Sequence, residues 1–310
     1  MRFDVVGVGA NSVDYVYRLP AYPQPQGPHA KLRIIRHWIS CGGQTATALS
    51  TCAALGLATR YVGAIGADAN GELVRGELSR RGVAVSPDPT TNGKNQFAVI
   101  LLTEHSGERI VLWDRDDTAD QPLALPIEAL AAARLVHVDD VDQEASIRAA
   151  AIARQAGVPV TSDIDRLNER TEELIQAVSI PILAEHVVPG ITGEADIERG
   201  LRKLRKRHAG SLCVTLGAQG AMLLEGDELF HAPAFAVDAI DTTGAGDVFR
   251  GGFIVARLRG DTPAEVLRFA NAAAAVSCTR QGAMNGVPTL AEIHLMLDGG
   301  WALQPQPGDG

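Results

Sequence analysis

Aromatic residues are scarce in this chain. Phe, Trp and Tyr make up 5% of its 310 residues. A stacking platform for single-stranded nucleic acid needs rows of such rings, so that class is disfavoured. An excess of positive charge is missing as well. Lys and Arg number 28 against 37 Asp and Glu, a formal net charge of −9, which argues against nucleic acid as a main partner. No long apolar run exists. The longest stretch without Lys, Arg, Asp, Glu or His, residues 38–59, contains Gln44 and several Ser, Thr and Gly, too polar to span a bilayer. Residues 1–12 lack the basic, apolar and cleavage regions of a secretory signal, so no membrane partner is expected. The four cysteines, Cys41, Cys52, Cys213 and Cys278, form no C-x-x-C pair. With His37 and His208 they complete no four-ligand pattern. Reduced, mostly buried thiols in a cytoplasmic protein are the expectation.

What the chain does have is 46% apolar side chains, arranged as short β-branched runs between alanine-rich stretches. Phe3-Asp4-Val5-Val6-Gly7-Val8, Leu135-Val136-His137-Val138, Val158-Pro159-Val160-Thr161 and Leu212-Cys213-Val214-Thr215-Leu216 read as strands. They are largely apolar on both faces, as strands of a covered parallel sheet must be. Asp142 is placed to cap a helix that stops at Gly157. Thr262-Pro263-Ala264-Glu265 and Thr289-Leu290-Ala291-Glu292 are capping boxes. This alternation predicts an α/β fold: a doubly wound, mostly parallel sheet flanked by helices. One such domain would occupy residues 1–300, with 301–310 a flexible tail.

Residues 14–40 and 95–117 have another texture. Strands are expected at 31–40, 96–103 and 108–114 with no helix between them, and His105-Ser106-Gly107 reads as a hairpin turn. Such a small antiparallel sheet, carrying Ile35, Trp38 and Leu112, needs a cover. It is expected to act as a lid and as the contact of a homodimer. Strand alternation would set Lys31 and Arg33 on one face with Ile35. Lys31 and Arg109 are the cations expected over an acceptor, although Lys and Arg also blunt sheet edges.

The most informative stretch is Asp241-Thr242-Thr243-Gly244-Ala245-Gly246-Asp247, between a β-like run at 234–240 and a helix through 248–258. Glycines at a helix start leave backbone N–H groups open to a phosphate. A first-turn carboxylate beside them can accept a hydroxyl proton while those groups stabilise a transferring phosphoryl group. The same residues also suit an ordinary glycine turn with an acidic helix start.

This segment resembles the C-terminal signature of the ribokinase-like, or PfkB, carbohydrate kinases. Gly42-Gly43 before an alanine-rich helix is similar to the family's N-terminal di-glycine motif. Gly63-Ala64-Ile65-Gly66-Ala67-Asp68-Ala69-Asn70-Gly71 and Val214-Thr215-Leu216-Gly217-Ala218-Gln219-Gly220 resemble two further family stretches. The matches follow family order across nearly the whole chain. The resemblance implies Asp247 as catalytic base and Gly244, Ala245 and Gly246 as its anion hole. It implies Asp14, Gly42 and Gly43 at the sugar, with Thr47 where the family usually has Asn. It places Thr215, Gly217 and Gly220 by the nucleotide phosphates, and Asn271, Gly282 and Asn285 around the adenine and often a monovalent cation such as K⁺. ATP with Mg²⁺ is the implied cofactor pair. The family's N-x-x-E motif is replaced: Ala184 and Val187 stand at its Asn and Glu positions, leaving Glu185 as the nearest carboxylate for a metal role.

Ala184-Glu185 and Cys278-Thr279-Arg280-Gln281-Gly282 look closest to the ketohexokinase and sulfofructose kinase branch. Trp113 and Val141 stand where sulfofructose kinases carry polar and cationic contacts, so a sulfonated sugar is not supported. Asp139, Asp140 and Asp142 would give an acidic pocket wall, or a turn and a helix cap. The expected activity is phosphoryl transfer from ATP to a primary hydroxyl of a sugar or sugar derivative. A nucleoside kinase and a non-catalytic binding protein are the alternatives. An NAD(P) oxidoreductase is disfavoured, because Ser12 replaces the third glycine of Gly7-x-Gly9 and prolines at 20, 23, 25 and 28 fill the crossover.

Overall fold

The computed structural model describes residues 2–88, 90–103, 109–116 and 122–301. In chain order the N-terminal part contains β1 (Val5–Val8), β2 (Ser12–Leu19), β3 (Arg36–Gly42), α1 (Gln44–Ala54), β4 (Thr59–Val62), α2 (Ala69–Arg80), β5 (Val83–Ala84), β6 (Phe97–Thr103) and β7 (Arg109–Asp114). The middle contains α3 (Ile127–Ala132), β8 (Leu135–Asp139), α4 (Gln143–Gln155), β9 (Val160–Ile164), α5 (Thr171–Ala177), β10 (Ile180–Ala184), α6 (Val187–Thr192) and α7 (Ile197–Arg205). It closes with β11 (Leu212–Thr215), β12 (Ala221–Glu225), β13 (Glu228–Ala232), α8 (Ala245–Arg259), α9 (Pro263–Cys278) and α10 (Leu290–Leu297).

Nine strands form one sheet in the order β13-β12-β11-β10-β9-β8-β1-β4-β5. All pairings are parallel except β11–β12 and β12–β13. Side-chain alternation sorts the strand residues into two cores. Val5, Leu135, Ile182 and Cys213 pack with α1, α8 and α9 on one face. Val6, Val136, Leu183 and Val214 pack with α3–α7 on the other. His137 and Asp139 share the face of Leu135 by the same two-residue period, so they look toward α1 and α8. Strand order reverses between β1 and β8, which opens a crevice beyond their C-terminal ends.

The second sheet has the order β3-β2-β6-β7. Its outer pairs are antiparallel and its central pair, β2–β6, is parallel. The strand expected at 31–40 starts only at Arg36. In the β2–β3 register, residues 31 and 34 would face Pro23 and Pro20, which have no N–H to donate. Lys31 and Arg33 are therefore exposed coil, not one face of a strand. The run at 234–240 is also coil, because Pro233 ends β13 at the sheet edge. The expected turn at His105-Ser106-Gly107, lid residue 117 and tail residues 302–310 lie outside the described residues.

The capping boxes form as read. The Thr262 and Thr289 side chains accept from the N–H groups of Glu265 and Glu292, and both glutamates reach back. Asp142 caps α4, accepting from the Ala145 N–H at 3.0 Å. The thiols are free: three are buried and Cys278 is half-buried. Among the described residues no helix is long and apolar enough to cross a membrane.

Candidate active site

Gly244 is where the chain turns from coil into α8. It takes φ +78°, and a Cβ there would lie 2.6 Å from the Ala283 Cβ, so only glycine fits. A Cβ on Gly42 would lie 3.5 Å from the same Ala283 methyl and 2.9 Å from Asp14 Oδ2. The di-glycine turn and the α8 start thus meet across one alanine. Gly43, at φ +96°, lies against Asn11, leaving 2.4 Å between a built Cβ and the Asn11 Cα. Asp14 is buried, and Ser12 Oγ donates to it at 2.9 Å.

The first-turn N–H groups of a helix have no partner inside it. In α8 the Ala245 N–H closes a turn onto the Thr242 carbonyl at 3.2 Å. The amides of Gly246 and Asp247 remain as the open donors of that turn, a narrower anion cradle than Gly244, Ala245 and Gly246 together. Ala245 and Gly246 border a cleft of about 590 Å³. Thr215, Gly217, Gly220 and Asn271 line it too, so four of the six residues expected on the nucleotide side share one cleft. Its far wall is apolar, with Phe235, Val237 and Phe249, which suits a flat heteroaromatic ring. Asn271 also braces the fold. Its amide donates to the carbonyls of Ala232 and Pro233 at 2.8 and 3.1 Å, holding the end of β13.

Other expected residues are placed differently. Gly282 and Asn285 do not line the cleft. The Gly282 N–H donates to Asp241 Oδ2 at 2.9 Å, and Asn285 accepts from Arg81. Asp241 also takes the Thr243 N–H, so each of its oxygens accepts one backbone N–H at that bend. Thr47 is fully buried on α1 and its hydroxyl has no partner; shorter than Asn, it stays within the helix packing. Lys31 is exposed coil. Arg109 pairs with Leu102 at the start of β7, and its side chain lies outside the described residues. Glu185 is exposed one residue beyond Ala184, the register partner of Thr215. Among the described residues no three His, Cys, Asp or Glu side chains converge to hold a metal. An Mg²⁺ ion held mostly by nucleotide phosphate oxygens, as the sequence resemblance implies, would find in Glu185 at most a single added oxygen.

The acidic wall expected from Asp139 and Asp140 is instead internal bracing. Asp139 is fully buried and accepts from the Ala10 N–H, the Thr45 hydroxyl and the Val141 N–H at 2.6, 2.7 and 3.0 Å. Asp140 accepts the N–H groups of Asp165 and Arg166, both at 2.7 Å. Burial raises both carboxyls above their ordinary range despite these bonds. Desolvation also raises the Asp247 carboxyl above the ordinary carboxylate range, against the opposing charge of Arg250.

Sequence reasoning missed Arg250 and Asp163. The Arg250 guanidinium is 2.7 Å from Asp163 Oδ1, with both side chains almost wholly buried. The signal was present, since Arg250 sits three residues beyond Asp247 in the otherwise apolar run 248–256 of α8. Also missed was Arg115, which with Lys94 lines a small cavity beside Gly9, Ala10 and Asn11. Those two cations, rather than Lys31, stand next to the turn at Gly9–Asn11.

Comparison with known proteins agrees with this geometry. The profile of the pfkB family carbohydrate kinases matches residues 11–290. The chain is 27% identical to a ribokinase of Haemophilus influenzae, over 96% of this chain and 99% of that one. It is 25% identical to a nucleoside kinase of Methanothermobacter thermautotrophicus, over 97% and 98%. The solved structure of Arabidopsis thaliana ribokinase complexed with ribose and ATP superimposes with a TM-score of 0.80 at 25% identity, over 96% of this chain and 99% of that one.

Proposed function

This chain belongs to the pfkB family of carbohydrate kinases, and from that premise we propose that it transfers the γ-phosphoryl group of ATP to a primary hydroxyl of a sugar or sugar derivative, with Asp247 as general base. One observation carries the proposal. The start of α8 borders the 590 Å³ cleft through Ala245 and Gly246 and meets the Asp14–Gly42 turn across Ala283 at Gly244, and Asp247 belongs to that first turn.

ATP occupies the cleft with its base against Phe235 and Val237 and its phosphates toward Gly217, Gly220 and the α8 start. The acceptor lies against Gly42 and Gly43, with Asp14 holding its hydroxyls. Asp247 takes the hydroxyl proton as the acceptor oxygen attacks γ-phosphorus, and the bond to the β-phosphate oxygen breaks with ADP leaving. The amides of Gly246 and Asp247 stabilise charge on the equatorial oxygens. Lid strands β2, β3, β6 and β7 exclude water, which limits ATP hydrolysis. Exposed apolar side chains on this sheet, Ile39, Leu112 and Trp113 among them, support a homodimer built through the lid.

The test is an ATP-consumption screen over ketoses, aldoses, their phosphates, amino-sugar derivatives and nucleosides, in Mg²⁺ with K⁺ or Na⁺. Turnover with a sugar is the expected result. Preference for nucleosides would move the acceptor class, and ATP binding without consumption would point to a non-catalytic protein. Asp247→Asn is expected to retain ATP binding and to lose roughly 10²–10⁴ in kcat. Near-normal turnover in that variant would remove Asp247 from the chemistry.

A further inference from the structure

A buried ion pair repays its desolvation only when its remaining lone pairs and N–H groups are hydrogen-bonded. The pair between Arg250 of α8 and Asp163 of β9 is not built that way. Its side chains are 4% and 1% exposed, and Arg250 Nη2 is 2.7 Å from Asp163 Oδ1. Yet both Asp163 oxygens and Arg250 Nε have no hydrogen-bond partner among the described residues. The neighbouring carboxylate on β8 differs. Asp139, the register partner of Asp163, accepts from the Ala10 N–H, the Thr45 hydroxyl and the Val141 N–H. An ion pair left without such bonds at this depth adds little stability and needs another account.

The other arm of the guanidinium supplies one. A Cβ on Gly246 would lie 2.6 Å from Arg250 Nη1, so the arginine occupies the space where a side chain of Gly246 would be. Gly246 belongs to the first turn of α8 and borders the 590 Å³ cleft, and its amide is one of the two open donors of that turn. Arg250 is the one charged residue in the run 248–256. It reaches from the C-terminal part of β9 to the back of the anion cradle, with Nη2 against the sheet and Nη1 against the turn.

We propose that Arg250, anchored by Asp163, is a positioning residue for phosphoryl transfer: it fixes the first turn of α8 against the sheet and so aims the amides of Gly246 and Asp247 at the transferring group, without stabilising the fold. The inference rests on the kinase reading and deepens it. Donors aimed at developing charge act in the transition state more than in the ground state. A shift of the turn therefore lowers kcat, and it leaves acceptor binding at Asp14 and Gly42 nearly as it was. A misplacement of about 1 Å at a reacting centre costs on the order of a hundredfold in rate.

The experiment compares wild type, Arg250→Lys and the double variant Asp163→Val with Arg250→Met. Each is measured by urea denaturation and by steady-state kinetics at the alkaline plateau of the rate profile, where Asp247 is ionised in every protein. The double variant removes both charges and fills both sites with apolar side chains. Its urea midpoint should equal or exceed that of wild type. Its kcat should fall roughly ten- to hundredfold, while KM for the acceptor changes by less than about threefold. Arg250→Lys keeps a charge opposite Asp163 but has no second arm to set behind Gly246. It should keep the wild-type midpoint and lose kcat, though less than the double variant. Loosened packing would lower the midpoint together with kcat, so the split between the two readouts identifies positioning. An active wild type matched in kcat by the double variant would overturn the inference and leave the kinase reading standing. A lower midpoint in the double variant, or its failure to fold, would also overturn it, by making the pair a brace of the fold. Full turnover in Arg250→Lys would do the same, since the second arm would then be idle. No turnover by wild type with any acceptor would overturn the kinase reading, and this inference with it.

Discussion

His137 shows how one buried residue couples stability to pH. It is fully buried between β1 and β9, with Nδ1 3.0 Å from Thr161 Oγ1 and no partner for Nε2. Burial, helped by the charge of Arg250, pushes its imidazole down to about 3. The folded protein therefore keeps it neutral where the unfolded chain, with an ordinary value near 6.5, takes up a proton. Stability from this residue is present above about pH 6.5 and is lost as pH falls toward about 3. The raised carboxyls of Asp139, Asp163 and Asp247 act in the opposite sense, so only a difference between variants isolates the histidine. Between pH 7 and 5 the urea midpoint of His137→Gln should fall less, or rise more, than that of wild type. Parallel changes would show that His137 does not titrate as its burial demands. At this scale sequence reading singled out Asp247, the proposed base, but not its neighbours. A lone Arg or Asp in an apolar stretch shows that something is paired, and only packing says with what.

The elements behave as their end signals demand. Threonine-glutamate boxes, a capping Asp142 and stop glycines are local devices, so they were legible in the chain. Elements that depend on a neighbour were not. Residues 31–34 look like strand but lose their ladder to prolines on the partner strand, and 234–240 leaves the sheet edge after Pro233. The close approach of α1 and α8 is likewise a matter of packing. A Cβ on Gly251 would stand 2.5 Å from the Thr51 Cβ and 2.8 Å from the Ala48 carbonyl. Gly251→Ala should cost about 1–3 kcal/mol by urea denaturation, since overpacking there forces the helices apart. An unchanged or higher midpoint would show that the two helices can separate freely.

For the molecule as a whole, the second sheet gathers the densest group of exposed apolar side chains among the described residues. Trp113 is 64% exposed, and Ile39, Ile110, Val111 and Leu112 are exposed around it. Exposed apolar side chains so concentrated call for a cover, which the proposed homodimer provides. Light scattering should show a dimer for wild type, while Trp113→Glu should shift it toward monomer and raise KM for the acceptor through a looser lid. A wild-type monomer at all concentrations would refute this assembly. The resemblance to one kinase branch stays a reading of short segments such as Cys278–Gly282, because branch identity depends on acceptor contacts rather than on the phosphoryl-transfer parts.

By itself the sequence determined the layered α/β architecture, the family and the position of the glycine-rich turn proposed for phosphoryl transfer. Each of these is written in contiguous residues: a two-residue strand period, helix caps and a glycine-rich helix start. The tertiary structure alone decided which charges stand beside that turn. Asp163 and Arg250 are 87 positions apart, and Asp139 braces α1 rather than a pocket, because residues remote in the chain are joined only when sheet and helices pack.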